Sequence, residues 1–139
     1  MHLTASAATT ASPRRCWTVL TDVADWPNWT TSITSVTPFD GPELAVGRRY
    51  RLEQPGMPAL VWTVKTLVEG EYFDWEARSP GVRTVGRHAL HPTDTGTRIE
   101  VGIDQTGPLA WLAGLLMGAK TRRYLALEAA GLKAAGESR

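Results

Sequence analysis

The chain has 139 residues, 42% of them hydrophobic and 21% charged, which fits one globular domain with core enough to fold without staples. Fifteen Lys and Arg against fourteen Asp and Glu leave a net charge of +1; that balance speaks against a nucleic-acid partner or an anionic-membrane binder, both of which need a gathered basic excess. Cys16 is the single cysteine, so an internal disulfide is excluded, and His2, His88 and His91 lack metal-ligand spacing, so neither a metal nor a cofactor is expected.

The N-terminus MHLTASAATTASPRR has no apolar core and does not read as a secretory signal. Its segment LTASAAT alternates weakly and reads as a first strand. Ser12-Pro13 then marks a helix start, with Ser12 as N-cap and Pro13 at the first helical position. The helix PRRCWTVLTDV puts Cys16, Val19, Leu20 and Val23 on one apolar face, flanked by Trp17 as a packing residue. Next, TDVADWPNWT reads as a short second helix cut off by Pro27, carrying Trp26 and Trp29.

From about residue 33 the period changes to two. ITSVTPF, RRYRLEQ, LVWTVKTLV, YFDWEAR, VRTVGRHAL and TRIEVGIDQ are strand-length, separated by turn signals such as Pro55-Gly56, Glu69-Gly70 and Ser79-Pro80-Gly81. Short connections predict an antiparallel meander. Alternation gives an inner face of Tyr50, Leu52, Gln54, Trp62, Val64, Thr66, Val68, Phe73, Trp75, Ala77, Thr84, Gly86, His88, Leu90, Ile99, Val101, Ile103 and Gln105. The opposite face, with Arg49, Arg51, Glu53, Lys65, Glu76, Arg87, Arg98, Glu100 and Asp104, is expected to be charged and wet.

Gly107-Pro108 opens a long final helix, PLAWLAGLLMGAKTRRYLALEAAGLKAAG, with Leu109, Leu112, Leu116 and Leu127 on its apolar stripe. Its first half, apolar nearly all round, is expected to be buried on more than one side or to face a cavity mouth. Its longest uncharged run, GPLAWLAGLLMGA, is too short to span a bilayer, so the protein is expected to be cytoplasmic. The fold expected for residues 1–139, one domain, is α+β: a curved antiparallel sheet of seven strands wrapped around the long C-terminal helix, with two short helices after strand one.

SPRRCWTVLTDVADWPNW, the hairpin GVRTVGRHALHPTDTGTRIEV and the helix opening GPLAWLAGLL resemble the START-like helix-grip superfamily (SRPBCC), in particular its polyketide cyclase/dehydrase-type branch. With the element order, the resemblance covers essentially the whole chain. It implies a deep, mostly apolar cavity between sheet and final helix, opening near the short helices, the strand loops and the start of that helix. Trp26 and Trp29 would lie at one end of it.

Six tryptophans in a chain with two phenylalanines suit either a dense core or a pocket for flat, greasy molecules. The candidate ligand-binding residues are Trp26, Trp29, Tyr50, Trp62, Phe73, Trp75, His88, Val101, Ile103, Leu112 and Leu116. The expected partner is a small hydrophobic or aromatic molecule, polyketide- or lipid-like. His88 and Tyr50 are the candidate catalytic pair of an alternative reading, a cyclase or dehydratase. In a third reading Trp111, Leu115 and Met117 form a homodimer or protein interface.

Overall fold

A computed structural model describes residues 1–138. Seven strands form one antiparallel sheet: β1 (His2–Thr9), β2 (Ser35–Pro38), β3 (Arg49–Glu53), β4 (Leu60–Val68), β5 (Tyr72–Ser79), β6 (Val82–Thr93) and β7 (Gly96–Thr106). Their order across the sheet is β1-β7-β6-β5-β4-β3-β2. After β1 come α1 (Pro13–Thr21) and a 3₁₀ helix (Val23–Asn28), and α2 (Ala110–Glu137) ends the chain. The expected α+β helix-grip architecture is therefore present.

Local chemistry explains the borders. Ser12 caps α1 by accepting from the Arg15 amide at 3.1 Å, with Pro13 just inside. The second short helix is 3₁₀ and includes Pro27. A tighter 3₁₀ turn tolerates a proline at a position whose amide is not needed. β6 and β7 run longer than alternation suggested, to Thr93 and from Gly96, pairing through Thr93 opposite Gly96.

In β3, β5, β6 and β7 burial follows the expected alternation. Tyr50, Leu52, Phe73, Trp75, Ala77, Leu90, Ile99 and Val101 are all buried. In β4 the alternation breaks. Val64 pairs with Trp75, but Thr66 pairs with Asp74 and Leu67 with Phe73, so Lys65 is an extra residue in a bulge. Beyond the bulge the faces exchange. Thr66 and Val68 lie with the outer face, opposite Asp74 and Tyr72, and Leu67 packs against the core instead.

The outer face is charged, as expected, but not wet throughout. Glu76 is only 8% exposed and is shared among Arg83, Arg78 at 3.4 Å and Lys65 at 3.8 Å. The bulge at Lys65 brings its amine to this carboxylate.

The largest departure is in α2. Its first half is not buried on more than one side. Trp111, Leu115 and Leu116 are 68%, 75% and 68% exposed. Burial begins in earnest at Thr121 and continues through Tyr124, Leu125, Ala129 and Leu132. There the helix packs on β1, β7 and α1. Gly131 is required at this crossing, because a Cβ there would sit 2.2 Å from the Trp29 carbonyl oxygen.

Candidate functional site

The site grows from an aromatic cluster on the inner face. Trp75 of β5 meets Tyr50 of β3 at 5.9 Å between ring centroids, Trp62 of β4 at 5.6 Å and Phe73 edge-on at 5.3 Å. Trp26, carried on the 3₁₀ helix, reaches Trp75 at 5.2 Å and His88 at 5.3 Å. Its indole N–H donates to the Leu20 carbonyl at 2.9 Å, so a 1%-exposed tryptophan keeps its polar edge satisfied. Gly86 permits this arrangement on β6: a Cβ there would lie 2.7 Å from Trp75 Nε1.

His88 sits inside the cluster. Phe73 stacks on its ring at 4.3 Å and 12°, and Trp75 meets it edge-on. Its Nδ1 is buried without a hydrogen-bond partner. Burial drives its pKa down to about 3, against a Phe73 backbone hydrogen bond that pulls it up. The imidazole is therefore neutral at physiological pH.

Between this cluster and α2 lies a pocket. The sheet side supplies Leu52, Trp62, Trp75, Gly86, His88, Gly102 and Ile103; the helical side supplies Trp26, Thr121, Tyr124, Leu125 and Glu128; Ile33, Gln54 and Met57 close the rim. Its cavity is about 50 Å³, room for one or two water molecules. The aromatics therefore both line the pocket and largely fill it. Two contacts tie the β3–β4 loop across the rim to α2: the Tyr124 hydroxyl donates to the Pro55 carbonyl, and Lys120 Nζ donates to the Gly56 carbonyl at 3.1 Å.

Of the residues expected at a ligand site, the structure brings Trp26, Trp62, Trp75, His88 and Ile103 to this pocket. Phe73 and Val101 are buried behind it, Phe73 as the platform under His88. Tyr50 is buried in the aromatic cluster but does not line the cavity, and its hydroxyl donates to the Glu43 carbonyl at 3.3 Å. Hence the pocket does not unite Tyr50 with His88. Trp29 packs on Trp26 at 5.7 Å yet borders a different groove, between α1, the 3₁₀ helix and the end of α2. Leu112 and Leu116 lie in the outward first half of α2, away from the lining. The pocket rim consequently involves the middle of α2 and not its start.

Glu128 was missed. It is half-buried and lines the pocket, and among the described residues it takes part in no ion pair. Burial pushes its pKa up to about 8, with the Ser32 hydroxyl pulling the other way, so the carboxyl is mostly protonated at neutral pH. A signal existed: Glu128 falls between Leu125 and Leu132 at helical spacing, on the buried stripe.

A family model described as polyketide cyclase / dehydrase and lipid transport matches residues 1–137. The chain belongs to this family. A search of curated proteins gives no match. Among solved structures, a hypothetical protein from Helicobacter pylori superposes with a TM-score of 0.84 at 13% identity, over 99% of this chain and 88% of the other. A protein of Nitrosospira multiformis gives 0.74 at 22% identity, over 99% and 97%. The di-domain ARO/CYC protein StfQ from the steffimycin biosynthetic pathway gives 0.77 at 12% identity, over 98% of this chain and 50% of that one. At these identities the likeness is one of fold. Among the described residues there is no group of His, Cys, Asp and Glu able to hold a metal ion, and no helix long and apolar enough to cross a membrane.

Proposed function

We propose that the chain binds a small, uncharged hydrophobic or aromatic metabolite, polyketide- or lipid-like, in the pocket between the sheet and α2. The observation that carries this reading is an unpartnered polar atom, His88 Nδ1, buried beside an aromatic-walled cavity. A buried polar atom without a partner costs about 1–3 kcal/mol, a cost that a ligand group can relieve. Family membership supports the same class of role. Because the resting cavity is about 50 Å³, uptake requires the β3–β4 loop and Met57 to move off α2. The two loop hydrogen bonds are few enough for such an opening.

Native mass spectrometry of the protein purified from its own host, with identification of any retained molecule, tests this. A stoichiometric apolar molecule is the expected outcome. A clean mass together with no saturable quenching of tryptophan fluorescence by aromatic probes rejects the reading.

A second reading, a cofactor-free cyclase or dehydratase, is favoured by the same unpartnered Nδ1, which can hydrogen-bond and polarise a substrate group; with its pKa lowered to about 3 the ring is a weak base and acts by that hydrogen bond. In that case His88→Ala lowers turnover about a hundredfold or more while affinity changes only a few-fold. The engagement of Tyr50 with Glu43 outside the pocket weighs toward binding. A homodimer through the exposed stripe of α2 is a separate proposal, favoured by the exposure of Trp111, Leu115 and Leu116 on one half-helix. Sedimentation of Trp111→Ala against the wild type tests it, and an unchanged mass counts against it.

A further inference from the structure

Two polar groups at the pocket stand out: His88 Nδ1, buried without a partner, and the Glu128 carboxyl, whose one side-chain partner is the Ser32 hydroxyl. Tyr124 bonds Pro55 and Lys120 bonds Gly56. His88 and Glu128 face the cavity from opposite layers, one on β6 and the other on α2, and the cavity between them is about 50 Å³.

We propose that His88 and Glu128 together seat a hydroxyl group of the bound molecule, which makes Glu128 a specificity-determining residue of the pocket. This rests on the ligand-binding reading above. A hydroxyl is one donor and two acceptors on one atom, so it can bond an imidazole and a carboxyl at once, whichever tautomer the ring holds. A methyl group of the same size leaves His88 Nδ1 unpaired. An anionic head group brings a charge into a pocket whose walls are Leu52, Trp62, Trp75, Ile103 and Leu125, without a free cation on that lining to receive it. The inward environment agrees: both groups are uncharged at neutral pH, with the carboxyl raised to about 8 and the imidazole lowered to about 3. The ligand class is therefore an uncharged, ring-containing alcohol or phenol, entered hydroxyl first or settled with the hydroxyl between sheet and helix.

The test uses three probes on the full chain at pH 7, read by tryptophan fluorescence and calorimetry: 2-naphthol, 2-methylnaphthalene and 2-naphthoate. The wild type is expected to bind 2-naphthol at least about tenfold more tightly than 2-methylnaphthalene, the effect of one net buried hydrogen bond, and 2-naphthoate most weakly. Glu128→Leu is expected to shrink the naphthol advantage below about threefold, and Glu128→Gln, which keeps a donor and an acceptor, to restore most of it. Equal binding of the first two probes to the wild type overturns the hydroxyl assignment while leaving the ligand-binding reading intact, and needs no variant to fold. An undiminished advantage in a folded Glu128→Leu overturns the role of Glu128. If none of the probes binds, the ligand-binding reading falls and this inference falls with it.

Discussion

The two halves of α2 invert a simple expectation. The first half, from Trp111 to Leu116, is the more hydrophobic, and its largest side chains face solvent. The second half carries Lys120, Arg122, Arg123 and Glu128, yet it holds the buried residues Tyr124, Leu125, Ala129 and Leu132. What decides burial is reach. The sheet and α1 converge over the second half, where the Trp29 backbone crosses close to Gly131. The first half extends past that cover. Hydrophobicity makes burial favourable, at about 25 cal/mol per Å², but only where a partner surface is present.

The sharpest way to break the comparison is to truncate one leucine in each half. Leu125→Ala should cost about 2–5 kcal/mol, because it deletes buried methyl groups and leaves a hole beside the pocket. Leu115→Ala, at 75% exposure, should change stability by less than about 0.5 kcal/mol. Urea denaturation of both variants decides it, and equal losses would mean that the first half is covered in solution.

The second prediction uses the polar residue that the buried half carries. Glu128 has a folded-state pKa raised from 4.5 to about 8, so the native state holds its proton more tightly than the unfolded chain. Stability is therefore undiminished by this group below about pH 4.5 and is lost as pH rises toward 8. His88, lowered from 6.5 to about 3, works in the opposite sense: its penalty is absent above about pH 6.5 and grows as pH falls toward 3. Thermal melts of Glu128→Gln should flatten the alkaline limb alone, and melts of His88→Gln the acid limb alone. An unchanged alkaline limb in Glu128→Gln would show that the carboxyl is solvated.

Smaller effects should come from the rim. Tyr124→Phe removes the hydroxyl that holds Pro55 and should cost about 1 kcal/mol. It should also speed probe uptake in stopped-flow fluorescence, because one of the two ties across the mouth is gone. Lys120→Met, which removes the more exposed tie to Gly56, should do less to stability and shift uptake in the same direction. Slower uptake in either variant would place the entrance elsewhere.

Much of this architecture could be read from the chain. The Ser12-Pro13 start, the turn signals and the strict alternation of β3, β5, β6 and β7 are local features, and each follows from backbone sterics or pleat geometry. The inner-face aromatics Trp62 and Trp75, with His88 beside them, follow from that alternation. Other features depended on partners distant in sequence. The bulge at Lys65 inserts one residue into an otherwise regular run and is visible only through its pairing with β5. Glu76 reads as a surface charge until three cations are placed around it.

By itself, the sequence determined the elements, their order and the face that β3, β5, β6 and β7 turn inward, because these depend on local periodicity and turn chemistry. The tertiary structure decided which inward residues share a cavity. It separated Tyr50 and Trp29 from the pocket, left Leu116 in solvent and set Glu128 against the aromatic wall with His88. The physical reason is that a side chain's environment is fixed by what crosses over it, and the crossing of α2 over the sheet joins residues 40 positions apart, such as His88 and Glu128.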